Sequence, residues 1–162
     1  MKKHLFSLLL LISLSVIISA QTQEAQKIDE FGNVNCEGYL ARMDNTFVSA
    51  LNDPSSKIYV FVYEGNLTKP KYDSNGKSIG YESALPQRGL AKARIRSMKQ
   101  YLKLKNMPQE KFVFVEAGFL ENFKVELWNV PDGATPPKPT PTLKRMKYRK
   151  GKPVGFCLGC CG

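Results

Sequence analysis

Four cysteines hold the most reactive side chains of this 162-residue sequence: Cys36, and then Cys157, Cys160 and Cys161 in the order C-x-x-C-C at the far end. Thiols so spaced have three uses. A C-x-x-C pair performs thiol–disulfide exchange when a helix start or a nearby cation stabilises the thiolate. Three thiolates joined by Cys36 make a Cys₄ set for a soft metal, although structural zinc sites usually draw on two C-x-x-C pairs and only one is present. In an oxidising compartment the same residues form structural disulfides, which is the reading adopted here. Four cysteines allow three pairings, and a bond between the adjacent Cys160 and Cys161 is strained. That leaves Cys36 bonded to one of the three, with a second pair inside the tail. A bond from Cys36 closes a loop of more than 120 residues, with an entropic effect of up to ~4–5 kcal/mol.

Other reactive groups are scarce. The single histidine, His4, lies in a segment read below as a removed leader. Without it, Ser-His-Asp and Cys-His catalysis, His-ligated zinc and a histidine pH switch are all excluded. There is no nucleophile motif and no glycine-rich phosphate loop. Glu116, Glu121 and Glu126 near the last turn read as surface charge. The chain reads as non-enzymatic, with no cofactor. Asn66-Leu67-Thr68 has the form of a glycosylation sequon and is read as a chance match.

The segments that must position these residues begin with an address. Met1–Lys3 is positive, Leu5 to Ile18 is almost unbroken apolar, and Ser19-Ala20 precedes the polar run Gln21-Thr22-Gln23-Glu24. This is the pattern of a secretory signal peptide over residues 1–20. The run is short of the ~20 apolar residues of a membrane span, and no second run approaches that length. Loss of Lys2 and Lys3 takes the net charge from +10 to +8. Residues 21–27 are polar and read as loose.

Residues 28–130 carry the folded domain. Ile28–Phe31 alternates as a short edge strand. Leu40, Met43, Phe47, Val48 and Leu51 recur at helical spacing across Cys36–Leu51, and Asn52-Asp53-Pro54 stops that helix. Ile58–Tyr63 is a run without alternation, as in a strand buried on both faces. Glu64 to Pro86 reads as a long polar loop, functional or mobile. A second helix over Gly89–Lys105 has Leu90, Ala91, Ile95, Met98, Tyr101 and Leu102 inside and Lys92, Arg96, Lys99 and Lys103 outside. A strand over Lys111–Glu116 turns at Ala117-Gly118 into an alternating strand over Phe123–Trp128, expected to pair antiparallel across that turn. Strand, helix, strand predicts a right-handed βαβ unit. The class is α+β, an α/β sandwich of order βαβαββ with two helices on one face of a mixed sheet.

At Pro131 the composition breaks. Residues 131–142 read as a Pro-rich extended linker and 143–162 as a basic Cys-containing tail. From Gly133 onward there are seven cations and no acids, so this end carries +7 of the +8. Export and the scarcity of aromatics, only Tyr148 and Phe156, argue against nucleic acid. Anionic envelope polymers or lipid headgroups suit exposed cations outside the cytoplasm.

Leu90, Arg94, Met98 and Tyr101-Leu102 fall on the pattern L-S-x-x-R-A-x-x-V-x-x-Y-L, and Asn106–Phe112 on the link G-I-P-x-x-K-I. Over residues 28–130 the chain resembles the OmpA-like (OmpA/MotB) peptidoglycan-associating domain. The resemblance implies an OmpA-like βαβαββ fold, a periplasmic or cell-envelope location, and peptidoglycan as partner, with Arg94 binding a stem-peptide carboxylate. A guanidinium fork suits that task. The family's Asp in G-x-T-D is missing after Gly65, its Ser is Ala91 and its Ala is Ile95. Asp73 is the substitute acid that the long loop offers. Two further readings stand beside this one: a scaffold whose basic Cys-rich tail makes the contacts, and a thiol or metal protein centred on Cys157, Cys160 and Cys161.

Overall fold

A computed structural model describes residues 23–158. Residues 1–20, read above as a signal peptide, and Cys160 and Cys161 lie outside the described residues. The elements run β1 (Gln26–Phe31), α1 (Cys36–Asn52), β2 (Lys57–Tyr72), β3 (Ser78–Ala84), α2 (Leu90–Leu104), a 3₁₀ turn (Gln109–Lys111), β4 (Phe112–Asn122) and β5 (Lys124–Val130). The class is α+β. β2 is central, parallel to β4 on one side and antiparallel to β5 on the other, with β1 on the outer edge of β5. Among the described residues no helix is long and apolar enough to cross a membrane.

The alternation of β2 sorts the two faces of the sheet. Ile58, Val60 and Val62 point at the helices and share one core with Met43, Phe47, Leu90, Met98 and Leu102. Phe61 and Tyr63 point the other way and pack with Ala117, Val115, Leu120 and Trp128. Both helices therefore lie on one face, and β2, buried on both, has the apolar run expected of it.

Four expectations are corrected. The region 64–86 is not a loop: β2 continues to Tyr72 and pairs antiparallel with β3 from Leu67–Ala84 to Tyr72–Ser78. Asp73 caps the turn between them, its carboxylate accepting from the backbone N–H of Asn75 and of Lys77 at 2.9 Å each. β4 does not turn at Gly118. It runs on to Asn122 through register shifts opposite Glu64, with Gly118 at φ 94°. Gly65 permits this close passage, since a Cβ there would lie 2.1 Å from the Asn122 carbonyl carbon. β5 is antiparallel as expected, but its partners are β2 and β1 rather than β4. The buried stripe of α1 is Tyr39, Met43, Thr46, Phe47 and Ala50, while Val48 and Leu51 are more than half exposed. On α2 the expected inner face holds, with Ser97 added and Ile95 partly buried.

The Pro-rich segment also departs from a free linker. It crosses the face opposite the helices, where the Thr140 N–H donates to the Tyr63 hydroxyl at 3.1 Å and Pro141 packs on Gly118. Thr142 and Leu143 both donate their N–H to the Phe119 carbonyl, covering part of the open edge of β4.

Candidate functional site

Arg94 stands on α2 facing the chain's own last described turn. α2 starts after Gly89, whose φ of 81° admits a left-handed entry. The buried Glu64 carboxylate accepts the Ala91 N–H at 3.1 Å in its first turn, where a helix carries partial positive charge. The other Glu64 oxygen accepts the Tyr148 hydroxyl at 2.6 Å. The Arg149 N–H donates to the Pro86 carbonyl at 3.0 Å. These bonds bring the tail around the sheet from one face to the other and aim it along α2.

Beyond them, Gly155 lies so close to α2 that a Cβ would sit 3.0 Å from Ser97 Cβ and Oγ. One Arg94 nitrogen, Nη1, donates to the Gly155 carbonyl at 3.0 Å; the other, Nη2, donates to Asn33 Oδ1 at 3.2 Å. The Phe156 N–H donates to Ser97 Oγ at 2.7 Å. The Phe156 ring is buried, stacked on Tyr39 at 4.1 Å with planes 6° apart, and the Arg94 guanidinium lies 4.1 Å from its centre. Such cation–π contacts strengthen where water is excluded. Phe31 and Phe123, each 6.1 Å from Phe156, complete the seat.

A disulfide closes it. Cys157 bonds Cys36, the first residue of α1, with Cα atoms 5.7 Å apart. The Asn35 side chain caps that helix by accepting the Gly38 N–H at 2.9 Å. The expected bond from Cys36 to the tail is therefore present, and its partner is Cys157. It takes two sulfurs out of the four-thiolate metal reading, and the described residues hold no cluster of three or more metal-ligating side chains.

The seat is cationic and lacks an anion. No carboxylate pairs with Arg94 among the described residues, and its Nε is buried without a partner. The Tyr39 hydroxyl is likewise buried and unpaired. Burial pulls Arg94 down to about 10, far enough above neutrality that it stays charged. Burial pushes the Tyr39 hydroxyl upward, so it stays a neutral donor. A guanidinium with one orphaned N–H and a neighbouring orphaned hydroxyl form a site short of negative charge. Asp73 does not supply it, being committed to its own turn.

The remaining residues of interest fall elsewhere. Asn66 has a buried, unpaired Oδ1 and is threaded into the β2–β4 bulge. Glu126 is buried on the sheet face away from Arg94, where Lys124 at 2.8 Å, Lys27 at 3.3 Å, the Tyr63 hydroxyl and the Trp128 indole N–H converge on it. That corrects its reading as surface charge. The outer face of α2 shows Lys92, Arg96, Lys99 and Lys103 along a shallow groove with Glu116. Among the described residues, none of these four pairs with a carboxylate, nor does any tail cation from Lys144 to Lys152.

Sequence reasoning missed Tyr39, Ser97, Gly155 and Phe156. Only the last carried a signal: a large aromatic residue next to a cysteine in a basic tail. No protein-family model matches this chain, and no curated protein or solved structure matches it either.

Proposed function

We propose that this chain is an exported, non-enzymatic cell-envelope protein whose Arg94 receives a ligand carboxylate, that of a peptidoglycan stem peptide. One observation carries the reading: a guanidinium whose own Nε is buried without a partner lies near the buried, unpaired Tyr39 hydroxyl, and among the described residues its hydrogen-bond partners are two neutral oxygens. A carboxylate in place of the Gly155 carbonyl would exchange a neutral hydrogen bond for charge-assisted ones. The resemblance to the OmpA-like domain supplies the ligand class, and the disulfide suits an oxidising compartment. The reading does without the family's Asp and relies on Tyr39 and Arg94 alone.

The test is co-sedimentation of residues 21–162 with purified diaminopimelate-type peptidoglycan under a thiol reductant. Wild type should pellet, and free diaminopimelate should compete. Arg94→Leu should stay soluble at 0.15 M salt. Pelleting of Arg94→Leu equal to wild type overturns the site.

A second reading rests on the cations of the outer face of α2, which pair with no carboxylate among the described residues and offer a positive surface to an anionic envelope component. It predicts binding that Lys92→Glu/Arg96→Glu weakens, Arg94→Leu leaves intact, and salt abolishes.

A further inference from the structure

We propose that residues 155–157 are a disulfide-latched cap: while Cys36–Cys157 stands, Gly155 and Phe156 occupy the Arg94 seat, and reduction of that bond frees the seat for ligand. The inference rests on the carboxylate reading of Arg94.

The cap imitates a bound peptide. Its carbonyl takes the guanidinium, its N–H takes Ser97 Oγ, and its side chain takes the aromatic floor of Tyr39. A ligand carboxylate and the Gly155 carbonyl compete for the same Arg94 nitrogen, so both cannot be seated at once. Phe156 is buried while its neighbours Val154 and Leu158 are exposed at 68% and 39%. The segment is therefore held at one residue, and the latch sits at the very next position. With Cys157 tied to α1, an undocked Phe156 remains within a residue's length of its seat and rebinds at high effective concentration. With the bond cut and Phe156 undocked, the hydrogen bonds of Tyr148 and Arg149 still anchor the tail upstream.

The bond is placed to be cut. Cys36 and Cys157 are both partly exposed. Cys36 opens α1, where the helix end stabilises a thiolate and makes that sulfur the better leaving group. A dithiol reductant attacks Cys157 Sγ, the Sγ–Sγ bond breaks, and Cys36 leaves as the thiolate. The second thiol of the reductant then displaces Cys157, giving two reduced cysteines and one oxidised, cyclic reductant. A cap closed in nine of ten molecules weakens apparent affinity about tenfold.

The experiment uses residues 21–162 with Cys160→Ser/Cys161→Ser, so that the Cys36–Cys157 bond is the one that can form. Binding to diaminopimelate-type peptidoglycan is measured oxidised and reduced, beside tryptic cleavage after Lys150, the site that lies between the Arg149 anchor and the cap. Reduction should raise affinity by about tenfold and speed cleavage. Cys36→Ser/Cys157→Ser should match the reduced chain in both buffers. Gly155→Ala, which crowds Ser97 with the latch intact, should raise oxidised binding without reductant. Equal Arg94-dependent binding in both redox states overturns the latch and leaves the site standing. Faster cleavage on reduction with no Arg94-dependent binding in any state overturns the site and leaves a mobile but purely structural cap. Cleavage unchanged by reduction overturns the latch whatever the binding.

Discussion

Tyr39 and Phe156 stack ring on ring, 4.1 Å between centres and 6° between planes, which makes the C-terminal tail part of the core that α1 and α2 build on the sheet. Tyr39 is completely buried, and the residue that covers it arrives from the far end of the chain. The relationship pins an otherwise largely exposed tail to the core at Phe156. It also makes the tail's energetics measurable.

Phe156→Ala removes the ring that fills the seat. Loss of a buried aromatic costs ~3–5 kcal/mol where the surroundings cannot collapse. Here local undocking of the tail limits the cost, so a loss of ~2–4 kcal/mol is expected in urea denaturation of the oxidised chain. A loss below ~0.5 kcal/mol would mean that Phe156 does not occupy the core in solution.

The Cys36–Cys157 bond spans a sequence separation of 121. Loop entropy over that length predicts that reduction lowers unfolding free energy by up to ~5 kcal/mol. Urea midpoints with and without reductant measure it, in the Cys160→Ser/Cys161→Ser background. An unchanged midpoint would show that the bond does not form in the folded chain.

The legible part of this structure was what short-range periodicity dictates. Six of its elements follow from residue spacing, and the parallel β2–β4 pair follows from strand–helix–strand order. What was not legible depended on distant partners. The α1 stripe is centred on Tyr39 because Tyr101 and Phe156 pack there, at 6.1 and 4.1 Å. Its period alone admitted Val48 and Leu51 equally well. The β2–β3 hairpin hid behind Pro70, Gly76 and Gly80, which read as loop residues but sit in a two-stranded arm. The seat around Arg94 was half visible. The guanidinium was found by resemblance, but the Gly155–Phe156 occupant carries no periodic signal at all.

Tyr148 and Glu64 make an alkaline prediction. Burial first, and then its hydrogen bond to the Glu64 carboxylate, push the Tyr148 hydroxyl up to about 12. Unfolded, it ionises near its ordinary value of 10.0. Its contribution to stability is therefore whole below pH 10 and is lost as pH rises from 10 towards 12. Tyr39 and Tyr101 are raised as well and lose stability in the same direction. Tyr148→Phe should destabilise the chain at neutral pH and flatten part of its decline between pH 10 and 12. An alkaline limb identical to wild type would show that the bond to Glu64 does not persist.

Glu126 makes the opposite prediction on the opposite face. Burial alone would raise its carboxyl, but hydrogen bonds from Lys124 and Trp128, the Lys124 charge and the bond from Lys27 outweigh that and hold it below 4.5. A depressed carboxyl contributes stability that is present above pH 4.5 and lost as pH falls through its folded value. Glu126→Gln should therefore be less stable than wild type at pH 7, converge on it in acid, and show a shallower stability slope below pH 4.5. Because Glu126 lies across the sheet from Arg94, the same variant should bind peptidoglycan as wild type does once folded. A binding defect in folded Glu126→Gln would shift the ligand contact to the sheet face that carries Lys27, Lys124 and Trp128. A slope unchanged from wild type would mean that the two lysines do not hold this carboxylate in solution.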